Sequence, residues 1–160
     1  MSLERHLESI DRTARRHGLP PELVRAIVSV ESNGNPWAAR YEPAFYNRHV
    51  APKPVKTRPP CSEQTEMRLR ACSFGLMQIM GATAREVGFE GVFLTELCDP
   101  EVGLDWGCRY LAQLARLHYE RHGWAGVVAA YNAGSPRKLA DGRWANEGYV
   151  NKIHAQGGFR

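Results

Sequence analysis

A single segment, residues 20–36, constrains the fold and the chemistry of this chain more than any other. It reads Pro-Pro-Glu-Leu-Val-Arg-Ala-Ile-Val-Ser-Val-Glu-Ser-Asn-Gly-Asn-Pro. Proline favours the first turn of a helix, and the later Gly34 and Pro36 supply a stop signal. The segment therefore predicts a helix from Pro21 to Ser32.

Near the end of this predicted helix, one carboxyl group shares a face with apolar residues. Glu31 follows Ile27 by four positions and Val24 by seven, which places the three side chains on one stripe. Partial burial and the negative end of the helix dipole both disfavour the carboxylate, so both raise its pKa. A carboxyl group that keeps its proton near neutral pH suits a general acid. From position alone, Glu31 is equally well an ordinary helix-end residue, solvated or paired with an arginine.

The composition is that of an ordinary globular protein. The 160 residues predict one domain, with 43% hydrophobic and 24% charged residues. The net charge of +4 favours contact with polyanions such as a cell wall or nucleic acid. Because no basic block resembles a nucleic-acid-binding arm, we do not expect a nucleic-acid partner.

The chain shows neither a signal peptide nor an apolar run long enough to span a membrane. Its first eight residues are mostly charged or polar. We therefore expect a protein that acts where it is made, leaves by another route such as phage delivery, or has had a leader removed.

Four cysteines are spaced too widely for a zinc site, so we expect no metal. They are Cys61, Cys72, Cys98 and Cys108. If helix separates each sequential pair, a rise of about 1.5 Å per residue places the pair more than about 10 Å apart, beyond disulfide reach. Any disulfide should therefore join an early cysteine to a late one, and four buried free thiols are an equally good interpretation.

Helical spacing of apolar residues recurs along the chain and predicts a mainly α fold. The predicted helices are one capped by Ser2 and ending at Gly18, a short one at 82–87, a long one from Asp99-Pro100 to Gly123 with Val102, Trp106, Tyr110, Leu114 and Leu117 on its apolar face, a buried one at 124–130, and one near 146–154. No alternating strand pattern appears, and at most a small hairpin is expected.

Between Trp37 and Cys72 the helical pattern gives way to a proline-rich excursion. Its prolines are Pro43, Pro52, Pro54, Pro59 and Pro60, with Lys53, Lys56 and Arg58 among them. We interpret residues 37–72 as a loop region inserted within a single domain of residues 1–160, with short helices near 42–48 and 62–71. Its aromatic and basic residues are suited to lining a groove.

Five segments in this order resemble the transglycosylase SLT-like family of peptidoglycan-cleaving enzymes, which share a lysozyme-like fold. They are Val30-Glu31-Ser32 with Asn35-Pro36, Gly75-Leu76-Met77-Gln78-Ile79-Met80 with Thr83-Ala84, Asp99-Pro100 with Gly107 and Tyr110-Leu111, Ala129-Ala130-Tyr131-Asn132-Ala133-Gly134, and Tyr149-Val150.

The resemblance implies a set of site residues. Glu31 corresponds to the family's sole catalytic acid and base, and the matching groove residues are Gln78, Met80, Tyr131 and Asn132, to which we add Tyr149. We expect Tyr131 to hydrogen-bond Glu31. Many relatives carry a serine where this chain has Arg40, and we expect Ser73 to serve as the polar helper instead. From residue type alone, Gln78 either satisfies backbone groups or faces a ligand.

The activity that the resemblance implies is that of a lytic transglycosylase, acting without a cofactor. The enzyme would cleave the β-1,4 bond between N-acetylmuramic acid and N-acetylglucosamine and leave a 1,6-anhydromuramic acid end. We expect peptidoglycan glycan strands as the partner, a monomer, and action on the cell wall. One alternative is a muramidase in which Glu42, Glu63 or Glu66 activates a water. The other is a cell-wall or nucleic-acid binding module without activity.

Overall fold

Helices carry most of the fold, which confirms the mainly α prediction, and a three-stranded sheet completes it. The computed structural model describes residues 3–53, 55, 57 and 60–160. The helices are α1 (Leu7–Arg16, after a 3-10 turn at Leu3–His6), α2 (Pro21–Ser32), α3 (Pro43–Phe45, continued by a π-helical turn at Tyr46–Val50), α4 (Glu63–Arg70), α5 (Gly81–Glu86), α6 (Pro100–Ala133) and α7 (Glu147–Ala155), and a 3-10 helix spans Leu94–Cys98. The strands are β1 (Ala39–Tyr41), β2 (Cys72–Phe74) and β3 (Ile79–Met80).

Helix α2 has the predicted bounds and lies at the centre of the larger apolar core. It ends where Asn33 adopts a left-handed backbone conformation with φ 50°. Its buried face packs with α1, α6 and α7. The residues buried in this core include Ile10, Leu23, Val24, Ile27, Leu104, Leu111, Val127, Val128 and Ile153. The predicted cap of the first helix, Ser2, lies outside the described residues.

Helix α6 is two helical segments joined at a bend, as the sequence predicts. Asp99 caps its start by accepting from the amides of Glu101 and Val102, and the backbone leaves the helical region at Gly123, with φ 59° and ψ −169°. One part of the prediction is wrong: Leu117 is 65% exposed.

The small sheet lies at the edge of the excursion. Its strands run antiparallel in the order β1-β2-β3. Arg40 pairs with Ser73, and Ser73 pairs with Met80. The sequence analysis missed this sheet because strands of two or three residues are too short to show an alternating pattern. A small hairpin was expected within the excursion, but only β1 lies wholly inside it.

Within the excursion, α4 packs against the end of β1 and the turn that continues α3. The guanidinium of Arg68 lies 4.2 Å from the centre of the Tyr46 ring and donates to the Tyr41 hydroxyl at 2.7 Å. The observed α3 with its π-helical turn, and α4, confirm the two short predicted helices, whereas Pro54, Lys56, Arg58 and Pro59 lie outside the described residues.

A second, smaller core lies beneath the sheet. It consists of Phe74, Ile79, Ala84, Phe89, Leu94, Leu97 and Cys98. The β2–β3 turn joins the two cores, since Leu76 and Met77 belong to the larger core, and Phe74 and Ile79 belong to the smaller one. Among the residues that the structure describes, no helix is both long and apolar enough to cross a membrane.

All four cysteines are free thiols. Cys61, Cys98 and Cys108 are buried and Cys72 is half-buried. Burial raises the pKa of the Cys108 thiol to about 12, with a smaller contribution from the charge of Asp105. Cys108 is therefore a neutral core residue at physiological pH.

Gly75, which begins the β2–β3 turn, provides a test of this packing. Its φ is +71°, and a Cβ at this position would lie 2.4 Å from the carbonyl oxygen of Leu97. We expect Gly75→Ala to lower the free energy of unfolding by about 2–4 kcal/mol, since left-handed strain and overpacking add.

Gly18→Ala is the matched control. Gly18 has a similar φ of +69° but open space around it, so only the strain of about 1 kcal/mol applies. Urea unfolding of both variants measures the difference. Equal losses of stability would show that the contact with Leu97 contributes nothing.

Candidate active site

A groove of about 560 Å³ lies between the end of α2, the sheet and the end of α6. Helix α2 contributes Glu31 to its lining, and the β2–β3 segment with α5 contributes Ser73, Gln78, Ile79, Met80 and Thr83. The excursion contributes Arg40, Glu42, Ala44, Phe45, Arg48 and His49, and α6 with its C-cap contributes Tyr110, Tyr131, Asn132, Ala133 and Gly134. Six of the predicted site residues thus share one groove.

The carboxyl group of Glu31 is half-buried and is oriented by a tyrosine from α7. The hydroxyl of Tyr149 donates to Oε1 of Glu31 at 2.6 Å. Burial raises the pKa of Glu31 above its ordinary value, although the hydrogen bond from Tyr149 and the charge of Arg40 act in the opposite direction. Because Tyr149 occupies Oε1, Oε2 is the oxygen left to carry a proton.

Tyr131 does not make the predicted hydrogen bond to Glu31. Its hydroxyl instead donates to the backbone carbonyl of Met77 at 2.8 Å, and its ring packs against Tyr110 with 5.5 Å between ring centres. Tyr131 lines the groove while fixing the turn between β2 and β3. The role expected of Tyr131 belongs to Tyr149, which the sequence placed only among substrate-binding residues.

The amide of Gln78 is engaged by the protein itself. Its Nε2 donates to the carbonyls of Ala38 at 2.9 Å and Gly75 at 3.0 Å, and its Oε1 accepts from the Ser73 hydroxyl at 2.8 Å. Both amide hydrogens are therefore used in holding β1 against the β2–β3 turn. Of the two alternatives for this residue, satisfying backbone groups is the one observed, and Ser73 supports Gln78 rather than Glu31.

Arg40 and Met80 flank Ser73 on the neighbouring strands. Arg40 is 77% exposed at its side chain, and its Nε lies 2.6 Å from Oε1 of Glu42. Arg40 of β1 therefore forms an ion pair with Glu42, which follows the strand, at the position where the resemblance led us to consider a serine. Met80, half-buried, presents an apolar surface to the groove.

Asn132 is exposed at the end of α6, where it lines the groove. Its Oδ1 accepts from Nδ2 of Asn146 at 2.9 Å, and that same group of Asn146 also donates to the carbonyl of Ala129 at 3.0 Å. The Nδ2 group of Asn132 has no partner among the described residues and is a donor for a ligand.

Sequence reasoning missed the function of Ser32. Its hydroxyl donates to the carbonyl of Leu76 at 2.8 Å and so joins the end of α2 to the β2–β3 turn. The only signal was its place beside Glu31. Arg48 and His49 line the groove, in line with the expectation that basic residues of the excursion would do so. Thr83 and Tyr110 were missed as groove residues, although both lie in the segments that resemble the family.

Of the three acidic residues considered as a second carboxylate, only Glu42 lines the groove. Glu63 is exposed on α4. Glu66 is 2% exposed, between Arg70 and Arg85, each at 2.9 Å. Burial acts to raise the pKa of Glu66, but the hydrogen bonds to Arg85 and Arg70 bring it below its ordinary value.

Within the described ranges, no group of side chains is arranged to hold a metal ion.

The hydrogen bond from Tyr149 predicts how the pKa of Glu31 responds to mutation. We expect a raised pKa in the wild type and a still higher one in Tyr149→Phe, since the hydroxyl stabilises the ionised carboxylate. Carboxyl carbon NMR titration measures both values, with Glu31→Gln to assign the resonance. A lower pKa in Tyr149→Phe would contradict the assigned contact.

A raised carboxyl pKa also predicts a stability difference. The folded state holds the proton of Glu31 more tightly than the unfolded state, so stability falls as pH rises from the ordinary pKa through the raised one. We therefore expect Glu31→Gln to be more stable than the wild type at pH 8, and the gain to shrink at pH 4. Thermal unfolding at the two pH values tests this, and an equal difference at both would contradict it.

A protein-family model matches most of the chain. Residues 8–153 match the family model for the transglycosylase SLT domain. None of the curated proteins with which the chain was compared matches it.

Proposed function

Because the chain belongs to the transglycosylase SLT domain family, with a lysozyme-like α+β fold, we propose that it is a peptidoglycan lytic transglycosylase that leaves a 1,6-anhydromuramic acid end. It would act on the cell wall, in the periplasm or outside the cell. The observation that carries the proposal is Glu31: a half-buried carboxyl group with a raised pKa, oriented by Tyr149 and lining the groove.

In the first step, protonated Glu31 acts as a general acid. Oε2 gives its proton to the glycosidic oxygen as the bond from that oxygen to the anomeric carbon of muramic acid breaks. The leaving sugar departs with a hydroxyl group, and positive charge develops at the anomeric carbon. The N-acetyl group of the substrate is placed to stabilise that charge, as in substrate-assisted enzymes.

In the second step, the carboxylate of Glu31 acts as a base. It removes the proton from the hydroxyl on carbon 6 of the same muramic acid while that oxygen bonds the anomeric carbon. The product is the 1,6-anhydro sugar, and Glu31 regains its proton. Since the nucleophile already belongs to the substrate, the step is intramolecular and needs no second carboxylate to activate water.

A muramidase is the second candidate, and it is favoured by one observation: Glu42 lines the same groove as Glu31. As a general base it would activate a water, as inverting glycosidases do. Its ion pair with Arg40 counts against this role, since Oε1 of Glu42 lies 2.6 Å from Nε of Arg40 and is already engaged by that guanidinium rather than free to face a water.

Glu31→Gln tests the catalytic assignment. We expect the rate of clearing of purified cell walls to fall by about 10²–10⁴-fold, the contribution typical of a positioned acid and base. Glu120→Gln, a change at an exposed residue of α6 that does not line the groove, is the control and should clear walls at the wild-type rate. Wild-type activity in Glu31→Gln would remove Glu31 as the catalyst.

Mass spectrometry of the products separates the two candidate reactions. A lytic transglycosylase gives anhydro ends, whereas a muramidase gives reducing ends heavier by one water. We expect anhydro products from the wild type and from Glu42→Gln alike. Reducing ends as the main product, with loss of activity in Glu42→Gln, would instead identify a muramidase.

A further inference from the structure

Trp37 differs from the other tryptophans because the fold makes no use of its side chain. The residue is 67% exposed. Trp124 and Trp144 are half-buried and pack against the larger core, and Trp106 is half-buried against the smaller one. Trp37 packs against neither core and has no ring or cation contact with the residues that the structure describes. Exposure of a single apolar side chain is ordinary, so the position of Trp37 decides what it can do.

That position is the edge of the groove. Trp37 does not line the cavity, but it belongs to the turn between α2, which provides Glu31, and β1, which provides Arg40. The carbonyl of the next residue, Ala38, accepts from Nε2 of Gln78 at 2.9 Å. Since consecutive Cα atoms are about 3.8 Å apart, the backbone of Trp37 lies one residue away from a direct contact with a groove residue.

The backbone around Trp37 is fixed by hydrogen bonds. The amide of Trp37 donates to Oδ1 of Asn35 at 3.0 Å, and Pro36 lies between the two residues. The amide of Ala38 donates to the carbonyl of Asn35 at 3.3 Å, and the carbonyl of Ala38 also accepts from the amide of Gly75 at 2.8 Å. Because this backbone is already ordered, ligand binding would cost only the rotamer freedom of the indole.

A flat, exposed indole matches the face of a sugar ring. The faces of a pyranose carry C–H groups and its hydroxyl groups lie around the edge, so an aromatic ring can cover one face while the hydroxyl groups stay in water. The substrate of the proposed function is a long polymer of such rings. A strand bound in the groove therefore continues past its edges, and Trp37 lies at one of them.

We propose that Trp37 is an outer sugar-binding site, where the indole stacks on a pyranose ring of the glycan strand that the groove binds and so favours long strands over short ones. This inference rests on the proposed function, which supplies the glycan substrate. Trp37 contributes affinity in this scheme and takes no part in proton transfer.

Glycan strands lengthened by one disaccharide at a time test the inference. At each length, kcat/KM is measured for the wild type and for Trp37→Ala, and the ratio of the two values removes any effect of the number of cleavable bonds. We expect a ratio near one for short strands and a ratio of about five once strands reach Trp37, the effect typical of one aromatic stacking contact. Trp37→Phe, which keeps a flat ring, should lose less than Trp37→Ala.

Tryptophan fluorescence gives a second readout that needs no cleavage. In Glu31→Gln, long strands should protect an exposed tryptophan from quenching by acrylamide, and short strands should not. Adding Trp37→Phe should remove this protection, since the other three tryptophans are half-buried.

Leu117→Ala is the matched control. Leu117 is 65% exposed, close to the exposure of Trp37, and it does not line the groove. The ratio of wild-type kcat/KM to that of Leu117→Ala should therefore stay near one at every strand length.

A ratio between the wild type and Trp37→Ala that does not change with strand length would overturn the inference and leave the proposed function intact. Protection of the indole by phosphatidylglycerol vesicles and not by glycan would also overturn it, because Trp37 would then be a membrane contact. Cleavage of no strand by the wild type would overturn the proposed function, and the fluorescence result would then decide the inference by itself.

Discussion

The hydrogen bond between Tyr149 and Glu31 is the interaction on which the proposed chemistry depends. It joins residues 118 positions apart, one at the end of α2 and the other on α7. The carboxyl group needs burial to keep a proton, and burial alone leaves its orientation undefined. The tyrosine fixes one oxygen and moderates the effect of desolvation, since it favours the ionised form that the second step of the proposed reaction requires.

A set of polar contacts to backbone carbonyls places the groove beside this carboxyl group. The hydroxyl of Ser32 donates to the carbonyl of Leu76, and the hydroxyl of Tyr131 donates to the carbonyl of Met77. The amide of Gln78 donates to the carbonyls of Ala38 and Gly75. Each of these side chains comes from one of the sequence motifs that resemble the family. Several motif residues thus shape the β2–β3 turn, and the surfaces that remain open to a ligand belong to Met80, Asn132 and the excursion.

The sequence predicted what local periodicity and capping determine. The bounds of α2, the cap at Asp99 and the bend at Gly123 follow from short-range rules, and so does the place of Glu31 on an apolar face. It did not predict which tyrosine reaches Glu31, because Tyr131 and Tyr149 both lie in family motifs and only tertiary packing separates them. The sheet escaped detection because its pairing is non-local and its strands are very short.

The bond between α2 and α7 also has a consequence for the order in which the protein matures. Helix α2 leaves the ribosome early, whereas α7 follows more than a hundred residues later. Until α7 docks, Glu31 lacks the hydrogen bond from Tyr149. The larger core then also lacks the buried side chain of Ile153, which α7 contributes. A chain synthesised only as far as α6 therefore lacks the hydrogen bond that orients the Glu31 carboxyl group, and the Glu31–Tyr149 pair can form only once α7 is present.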